Sequence, residues 1–343
     1  MFLQNRGRIF LKSLFMTIFL LLGIMTSPLL AVEPKEILSL SLEAQFQLDF
    51  EGIKKTQIYI EEEPYAVIAK LIYQKPDFSY IRYLAPSTVK GKIILDDGKL
   101  RMDYVPGMDR FHIFPSLNSP EIRKRKKQSL NLIFNSYIIS QLPDEHICER
   151  PVYVISLIPK YAGNPWLKIW IDKETYLSLK QERYTPEEKL ITSSAFTEVY
   201  FGIRSFREEL YSTIPPRLWE GKKLPSRRII RSFEQLREEI TFPLSLPRYL
   251  PLGYEFQRAI LFNEGKRVDL IYTNGLKTIV FSQNPKINVR MRDYHEMSFK
   301  GKRGRLQASM GAWNLVWTEK GRTFILIADI SKEELTKIAE SVE

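Results

Sequence analysis

The sequence predicts an α+β fold made of two antiparallel domains, the first larger than the second. Short runs of alternating apolar and polar residues follow one another from Glu43 to Phe201, with one helical interruption. After a basic stretch with prolines, a second series of such runs ends in a helical pattern. Strands joined by short connections without intervening helices form antiparallel sheets. At 343 residues the chain is also too long for one ordinary core.

The N-terminus has the pattern of a secretory signal peptide, residues 1–31. A basic head precedes an uncharged stretch from Ser13 to Val32, and the small residue Ala31 lies at the expected cleavage position. We therefore expect export to the periplasm and removal of this segment. The alternative is an uncleaved inner-membrane anchor, because a bilayer-spanning helix needs about 20 residues, close to the length of the uncharged stretch.

Composition restricts both partners and chemistry. The formal net charge of +11 favours anionic partners, which outside the cytoplasm are phosphorylated lipids, acidic proteins or a membrane surface rather than nucleic acid. The alternative is a basic surface that is simply solvated. Cys148 is the only cysteine, which excludes an internal disulfide. The three histidines are isolated, and no catalytic or phosphate-cradling motif occurs, so we expect no enzyme activity, cofactor or metal.

The first domain is predicted to open with a half-buried strand at 43–50. Ala44, Phe46, Leu48 and Phe50 lie on one face of this alternating run. Further strands are expected at 56–60, 66–73, 78–84, 92–95 and 99–104, the last two joined by a hairpin turn at Asp97-Gly98. This succession describes an antiparallel sheet that curls on itself.

One helix is expected to interrupt the strands and to plug the concave face of the sheet. Leu130, Ile133, Phe134, Tyr137 and Ile138 fall at the spacing of one helical face, which predicts a helix that ends near residue 142. Such a helix would begin just after five consecutive cations.

These five cations are Arg123, Lys124, Arg125, Lys126 and Lys127. The positive end of a helix dipole disfavours cations at a helix N-terminus. We therefore interpret the run either as a mobile solvated loop or as a docking site for an anionic group.

The first sheet is predicted to resume with strands at 152–158, 166–172, 177–184 and 190–201, with a polar turn at 172–175. Trp166 and Trp170 share one strand face, either as core residues or as the lining of a hydrophobic groove. The stretch from Trp170 to Lys180, WIDKETYLSLK, resembles the W-x-D-x-x-T-G-L-x-L-R segment of the lipoprotein-carrier-like half-barrels. These include LolA, LolB and the N-terminal domain of the MucB/RseB sigma-E regulatory proteins. Here Tyr176 and Lys180 replace glycine and arginine.

The composition changes in a basic, proline-containing linker at 205–243, with a short helix predicted at 233–239. The second domain, 244–343, is predicted to contain a strand at 255–262 and a hairpin at 266–283. Asn274-Gly275 favours a two-residue type I′ turn in this hairpin.

Three further strands are expected at 305–310, 314–318 and 322–330, with a turn at 319–321. Ser331 and Glu334 fit a capping box at the start of the last helix. The apolar stripe of that helix consists of Leu335, Ile338, Ala339 and Val342.

The order of these pieces resembles the C-terminal domain of MucB/RseB proteins. The matching motifs are L-P-x-G-[FY] at 250–254, Y-x-[DN]-G-L at 272–276, Met310-Gly311, and I-A-x-S-V at 338–342. The resemblance of both halves implies an N-terminal curved antiparallel half-barrel with a plugging helix, at 32–204, and a smaller C-terminal α+β domain. It also implies a periplasmic negative regulator of envelope-stress signalling that binds the periplasmic domain of a membrane anti-sigma factor and senses lipid or lipoprotein.

On this resemblance, an acyl chain would lie in a groove of the first domain, and cations 123–127 would meet phosphates or an acidic peptide. The candidate groove residues are Phe46, Leu48, Ile133, Phe134, Tyr137, Trp166 and Trp170. The first alternative is a lipid or lipoprotein carrier of the LolA type. The second is an envelope scaffold held by an uncleaved anchor. A homodimer is compatible with each.

Overall fold

The computed structural model describes residues 32–59, 64–105, 110–202, 227–285, 289, 291, 294–309 and 312–343. These residues form two antiparallel sheets, of eleven and eight strands, together with a few helices, and neither sheet closes into a barrel. The predicted α+β fold class is confirmed. The predicted signal peptide, most of the predicted linker, and Met310-Gly311 lie outside the described residues.

The first sheet is a continuous meander whose first and last strands pair with each other. Three helices accompany it: α1 (Pro34–Ala44), α2 (Pro120–Gln128) and α3 (Leu130–Ser136). The strands are β1 (Phe50–Ile58), β2 (Tyr65–Gln74), β3 (Phe78–Ala85), β4 (Ile93–Asp96), β5 (Leu100–Val105), β6 (Arg110–Pro115), β7 (Tyr137–Ile147), β8 (Arg150–Pro159), β9 (Trp166–Asp172), β10 (Ser178–Tyr184) and β11 (Leu190–Phe201). Their spatial order is β6-β5-β4-β3-β2-β1-β11-β10-β9-β8-β7, so β6 and β7 are the edges. The chain passes from one edge to the other through α2 and α3.

The predicted strand at 43–50 is wrong over most of its length, because Pro34–Ala44 forms α1 and β1 begins only at Phe50. Pro34 occupies the first turn of α1, where its missing N–H breaks no helical hydrogen bond. Ile37 and Leu38 of this helix are fully buried in a core that includes Ile133. Burial of this helical face outweighs the short alternating pattern at its C-terminal end.

The predicted helix at 130–142 is correct only in its first half, since α3 ends at Ser136. From Tyr137 the chain becomes β7, which pairs with β8 along nearly its whole length. Pro143 falls at a register shift in this pairing, where its missing N–H removes no ladder hydrogen bond. Pairing with β8 therefore overrides the helical spacing of Tyr137 and Ile138, and β-branched residues suit a strand.

The five cations at 123–127 belong to α2, so the loop interpretation is wrong. The Ser119 hydroxyl accepts a hydrogen bond from the Ile122 N–H at 3.4 Å and caps the helix, with Pro120 at its first position. Because the helix begins at Pro120, Arg125, Lys126 and Lys127 lie in its last turn. Cations are stabilising at that end of the helix dipole.

The other strands predicted for the first sheet are confirmed to within about two residues, and β1 covers the first part of the strand expected at 56–60. Strand β6 was not predicted. The hairpin turn at Asp97-Gly98 is confirmed, with the Asp97 N–H donating to the Leu100 carbonyl at 3.1 Å.

The second sheet contains eight strands and two helices. The strands are β12 (Arg227–Ile230), β13 (Glu255–Phe262), β14 (Arg267–Thr273), β15 (Thr278–Pro285), β16 (His295–Phe299), β17 (Lys302–Ser309), β18 (Ala312–Glu319) and β19 (Arg322–Ala328). Their order is β12-β13-β14-β15-β19-β18-β17-β16. The helices are α4 (Phe233–Glu239) and α5 (Lys332–Glu340). The predicted helix at 233–239 and the predicted strands are confirmed, whereas β12 and β16 were not predicted.

Helix α5 covers the core of the second sheet. Leu335, Ile338 and Ala339 are fully buried against strand residues such as Phe281 and Leu326, as their spacing predicted. The Ser331 hydroxyl accepts a hydrogen bond from the Glu334 N–H at 3.2 Å, which confirms half of the predicted capping box. The Glu334 carboxylate instead accepts from the Tyr249 hydroxyl and from Lys337.

Candidate functional site

The turn between β14 and β15 has a different geometry from the one predicted. Thr273 pairs with Thr278, so four residues rather than two connect the strands, and the expected type I′ turn is wrong. The Asn274 Oδ1 accepts hydrogen bonds from the Leu276 N–H at 3.1 Å and the Lys277 N–H at 2.8 Å. Gly275 adopts a φ of 92°, in the region that favours glycine. The Asn274 side chain therefore stabilises a wider turn.

This turn packs against β7 and against the segment between β8 and β9 of the first sheet. Asn274 is fully buried, and its Nδ2 lies 3.3 Å from the Tyr137 hydroxyl and 3.4 Å from the Asn164 Oδ1. The Tyr137 hydroxyl in turn donates to the Pro165 carbonyl at 3.4 Å. Burial raises the pKa of Tyr137 to about 12, against the opposing effect of the Asn274 hydrogen bond. The phenol therefore stays protonated and can donate.

Gly275 allows the backbones of the turn and of α3 to approach each other closely. A Cβ at this position would lie 2.5 Å from the Ser129 carbonyl oxygen and 2.7 Å from the Ile133 nitrogen. Both are backbone atoms, which cannot move aside as the end of a side chain can. The next residue, Leu276, packs against the core that contains Ile133. A side chain at 275 is therefore incompatible with this contact.

An ion cluster, which we call the Asp329 triad, also joins the two sheets. The Asp329 carboxylate accepts from Arg183 Nη1 at 2.7 Å and from Lys277 Nζ at 2.6 Å. Arg183 lies in β10 of the first sheet, whereas Lys277 immediately precedes β15 and Asp329 immediately follows β19 of the second. The three side chains are only 14 to 16% exposed. Burial lowers the pKa of Lys277, and the Asp329 charge opposes that effect.

A cleft of about 760 Å³ opens elsewhere along the same junction. Helices α2 and α3 form one wall, and β12, α4 and β13 form the other. Apolar side chains from both walls line it: Leu132, Ile229 and Phe256. Its charged lining consists of Lys124, Arg125, Arg231, Arg258 and Glu121. We call this feature the basic cleft, because four cations face one carboxylate.

The arginines of the basic cleft repel one another. Burial, followed by the charges of Arg125, Arg227 and Arg231, lowers the pKa of Arg258 to about 10. Burial and the charges of Arg227 and Arg231 also lower the pKa of Arg125, with Glu121 opposing them. The Nε atoms of Arg125 and Arg258 are buried and have no hydrogen-bond partner among the residues that the structure describes. The cleft therefore holds positive charge that its surroundings compensate poorly.

The five cations of helix α2, which were predicted to contact an anion, lie on different faces of the helix. Lys124 and Arg125 line the basic cleft. Arg123 and Lys126 instead lie over the ring of Phe46, at 5.4 and 5.0 Å from its centroid. Lys127 is exposed in the last turn of the helix. Only two of the five therefore contribute to the cleft.

The seven predicted groove residues do not come together in one groove. Ile133 and Tyr137 are buried in one core, with Phe134 packed at its edge. Trp170, 3% exposed, lies in a separate core beside Leu48. The remaining two are Phe46, which is buried, and Trp166, which stacks on Tyr184 at 3.9 Å. Trp170 is thus a core residue, and lipid contact by this set stays a prediction.

Several junction residues were missed or misjudged from the sequence. Asn274-Gly275 was recognised only as a turn, and Arg231 only as part of a basic linker. Arg258 carried a usable signal, because it is a cation within a strongly apolar strand. Arg183 and Asp329 gave no local signal, since their contact joins positions 146 residues apart.

Cys148 lacks the environment of a reactive thiol. Its Sγ donates to the Phe196 carbonyl at 3.2 Å, and burial, followed by the Glu198 charge, raises its pKa. The thiol form is the weaker nucleophile. Within the described part of the chain, no cluster of three or more His, Cys, Asp or Glu side chains is placed to hold a metal. A search of the same residues finds no helix with the length and apolar character to cross a membrane.

The sequence of the chain matches a family model and the sequence of another protein. Residues 245–342 match a family model described as a domain of unknown function, DUF4367. An uncharacterized protein of Methanocaldococcus jannaschii is 23% identical over 353 residues, covering 96% of this chain and 98% of its own length.

Solved structures of MucB match over both sheets. MucB in the MucA/MucB complex of Pseudomonas aeruginosa aligns with a TM-score of 0.60 and 13% identity, covering 90% of this chain and 98% of that chain. MucB in complex with MucA(peri) gives a TM-score of 0.54 at 13% identity, covering 91% and 98%. The resemblance to MucB/RseB proteins found in the sequence motifs is thus confirmed in the fold.

Proposed function

Because the chain has the MucB fold across both of its sheets, we propose that it is a non-enzymatic regulatory binding protein that acts outside the cytoplasm. Its partner is the extracytoplasmic segment of a membrane anti-sigma factor, and its binding restrains envelope-stress signalling. The observation that carries this proposal is the alignment of both sheets, and not only the first, with MucB structures that include complexes with MucA.

The chemistry of this chain supports a binding role. One polar cluster serves contacts within the fold: Arg150 donates to both oxygens of Asp172, at 2.7 and 3.0 Å, and thereby fixes the turn that follows β9. The side chain of Thr175 also donates to that carboxylate at 2.7 Å. These groups are occupied by each other, as in a structural ion pair, and do not face an open cavity.

The test is direct binding to a candidate partner. Residues 32–343 would be purified and titrated with the extracytoplasmic segment of each single-pass membrane protein encoded beside this gene. We expect one segment to form a saturable complex and to become protected from proteolysis within it. If no such segment binds, the proposal is wrong.

The alternative function is carriage of lipid or lipoprotein, as in LolA. Lipid sensing, by contrast, is part of the proposed regulatory function. Either role needs acyl chains to reach apolar side chains, yet the predicted groove residues Ile133, Tyr137 and Trp170 are packed inside two cores. Mass spectrometry of an organic extract of the purified protein separates these roles. Stoichiometric acyl chains without a protein partner would favour the carrier, and a protein partner would favour the regulator.

A further inference from the structure

We propose that the basic cleft is a binding site for a phosphate group, held by arginines from both walls of the cleft at once. Arg125 of α2 provides one side, and Arg231 and Arg258, beside α4 and in β13, provide the other. This inference goes beyond the proposed function, because the site holds its anion whether or not a protein partner binds elsewhere.

The charge balance of the cleft is the first argument. Its single lining carboxylate, Glu121, accepts hydrogen bonds from its own backbone N–H and from Ser119, which lower its pKa. Glu121 thus serves the N-terminus of α2 as well as facing the cleft. Elsewhere at the junction, the carboxylate of Asp329 lies within 2.7 Å of its cations. The cleft arginines have no comparable carboxylate among the residues described.

The unused donors are the second argument. A buried guanidinium Nε–H without an acceptor is unfavourable, and native proteins pair nearly all such groups. Two such groups belong to Arg125 and Arg258, residues that line this one cleft from opposite walls. An anion between the walls would accept from both and would reduce the repulsion between them.

The shape and lining of the cleft point to phosphate carried on a larger group. Guanidinium groups bind phosphate through two parallel hydrogen bonds, a geometry that lysine lacks. The volume of about 760 Å³ is far larger than one phosphate and falls within the range of small-molecule sites, roughly 300 to 1,000 Å³. Leu132, Ile229 and Phe256 offer apolar contact to whatever carries the phosphate. The source is either a lipid headgroup or a soluble phosphate ester.

Binding would link the two sheets. Because the cations come from α2 on one side, and from β13 and the segment between β12 and α4 on the other, one phosphate would contact both walls. The ligand would therefore stabilise the arrangement in which the cleft walls face each other, as any ligand stabilises the state it binds.

Thermal unfolding of residues 32–343 tests the site, with glucose 6-phosphate as the soluble probe and sodium chloride at matched ionic strength as the reference. We expect glucose 6-phosphate to raise the Tm of the parent chain by about 2–4 °C. The gain should be lost in Arg258→Gln and in Arg125→Gln, which change opposite walls. It should be kept in Arg303→Gln, a matched loss of one exposed positive charge in β17.

The unfolding temperature without phosphate distinguishes loss of the site from loss of the fold. Without phosphate, Arg258→Gln should unfold at the same temperature as the parent chain or higher, because it removes repulsion. Arg258→Lys, which keeps the charge but not the paired donors, should retain only part of the phosphate response. Equal responses in all variants would overturn the proposal, and so would a parent chain that responds neither to glucose 6-phosphate nor to phosphatidic acid.

Vesicles identify the source of the phosphate. The parent chain and Arg258→Gln would be sedimented with phosphatidylcholine vesicles that contain phosphatidic acid, and with phosphatidylcholine alone. Binding to phosphatidic acid that Arg258→Gln loses assigns a lipid headgroup, and a thermal response without vesicle binding assigns a soluble ester. If polyglutamate raises the Tm of the parent chain, and neither glucose 6-phosphate nor phosphatidic acid binds, the site takes an acidic peptide and the phosphate assignment is wrong.

Discussion

The two parts of the junction between the sheets differ in how their charges are balanced. In the Asp329 triad, one buried carboxylate lies within hydrogen-bond distance of cations from both sheets. In the basic cleft, four cations face one carboxylate, and two guanidinium nitrogens have no partner among the described residues. The cations of the triad are thus neutralised by a carboxylate that joins the two sides of the junction. Those of the basic cleft lack a comparable carboxylate among the described residues, so a bound anion would neutralise them.

The largest expected effect comes from breaking the Asp329 triad. Asp329→Asn leaves Lys277 and Arg183 close together and largely buried, with a neutral amide in place of the carboxylate. Removing one member of a buried ion pair costs about 3–5 kcal/mol, and we expect a loss of this size in the free energy of unfolding, measured with urea.

Glu319→Gln is the control for that substitution. It removes a carboxylate from a pair with Lys302, at 2.8 Å, that joins strands of a single sheet. Because the side chain of Glu319 is 32% exposed, against 16% for Asp329, the loss should stay below about 1 kcal/mol. Similar losses in the two variants would contradict the distinct role of the triad.

The second effect concerns the close approach of the turn to α3. Gly275→Ala adds a Cβ 2.5 Å from the Ser129 carbonyl oxygen, so we expect a loss of about 2–4 kcal/mol and easier proteolysis between the two sheets. Gly321→Ala is matched, because its φ is also positive at 74° but a Cβ there meets nothing within 4 Å. It should cost only about 1–2 kcal/mol of backbone strain. Equal losses would mean that the turn does not need this contact.

The third effect has the opposite sign. Arg258→Gln should raise the free energy of unfolding by about 1 kcal/mol in an anion-free buffer, because it removes a charge that is both buried and repelled by neighbouring arginines. Burial, followed by that repulsion, lowers the pKa of Arg258 to about 10. Urea unfolding measures the gain, and Arg303→Gln should change stability by less than about 0.5 kcal/mol. A clear loss in Arg258→Gln would show that the arginine stabilises the fold.

The smallest effect is the dependence of stability on salt. Raising sodium chloride from about 0.05 M to about 0.5 M shortens the screening length and weakens repulsion in the cleft. The parent chain should gain about 0.5 kcal/mol more than Arg258→Gln over this range, measured by parallel urea titrations. A larger gain in the variant would place the repulsion elsewhere in the molecule.

Local patterns predicted most strands and helix α4, but neither α1 nor the end of α3. The strand at 255–262 and those at 166–172 and 190–201 matched the structure because alternation and turn residues act over a few positions. Helix α1 was missed, and α3 was predicted six residues too long. Helix α1 packs against a core that includes residues of β7 and β8. The residues after Ser136 form β7 itself, because they pair with β8.

The candidate site was less predictable than the fold. Two of its cations, Lys124 and Arg125, were identified as a possible anion contact, but their neighbours in the chain turned out to lie over Phe46. Arg231 and Arg258 lie on the opposite wall of the cleft. The apolar strand around Arg258 singles it out, but nothing near either residue in sequence signals that they meet Arg125. A cleft between two sheets is a property of how they pack, which short-range patterns do not encode.

The sequence by itself determined most of the strands, the hairpin around Asn274-Gly275, the capped last helix and the resemblance to MucB/RseB proteins. Each of these depends on residues that are near one another in the chain. Only the tertiary structure decided that Asn274 reaches Tyr137, 137 positions away, and that arginines distant in the chain meet in one cleft. The physical reason is that these contacts form when two separately patterned sheets pack together, and their energies depend on burial and charge at that junction.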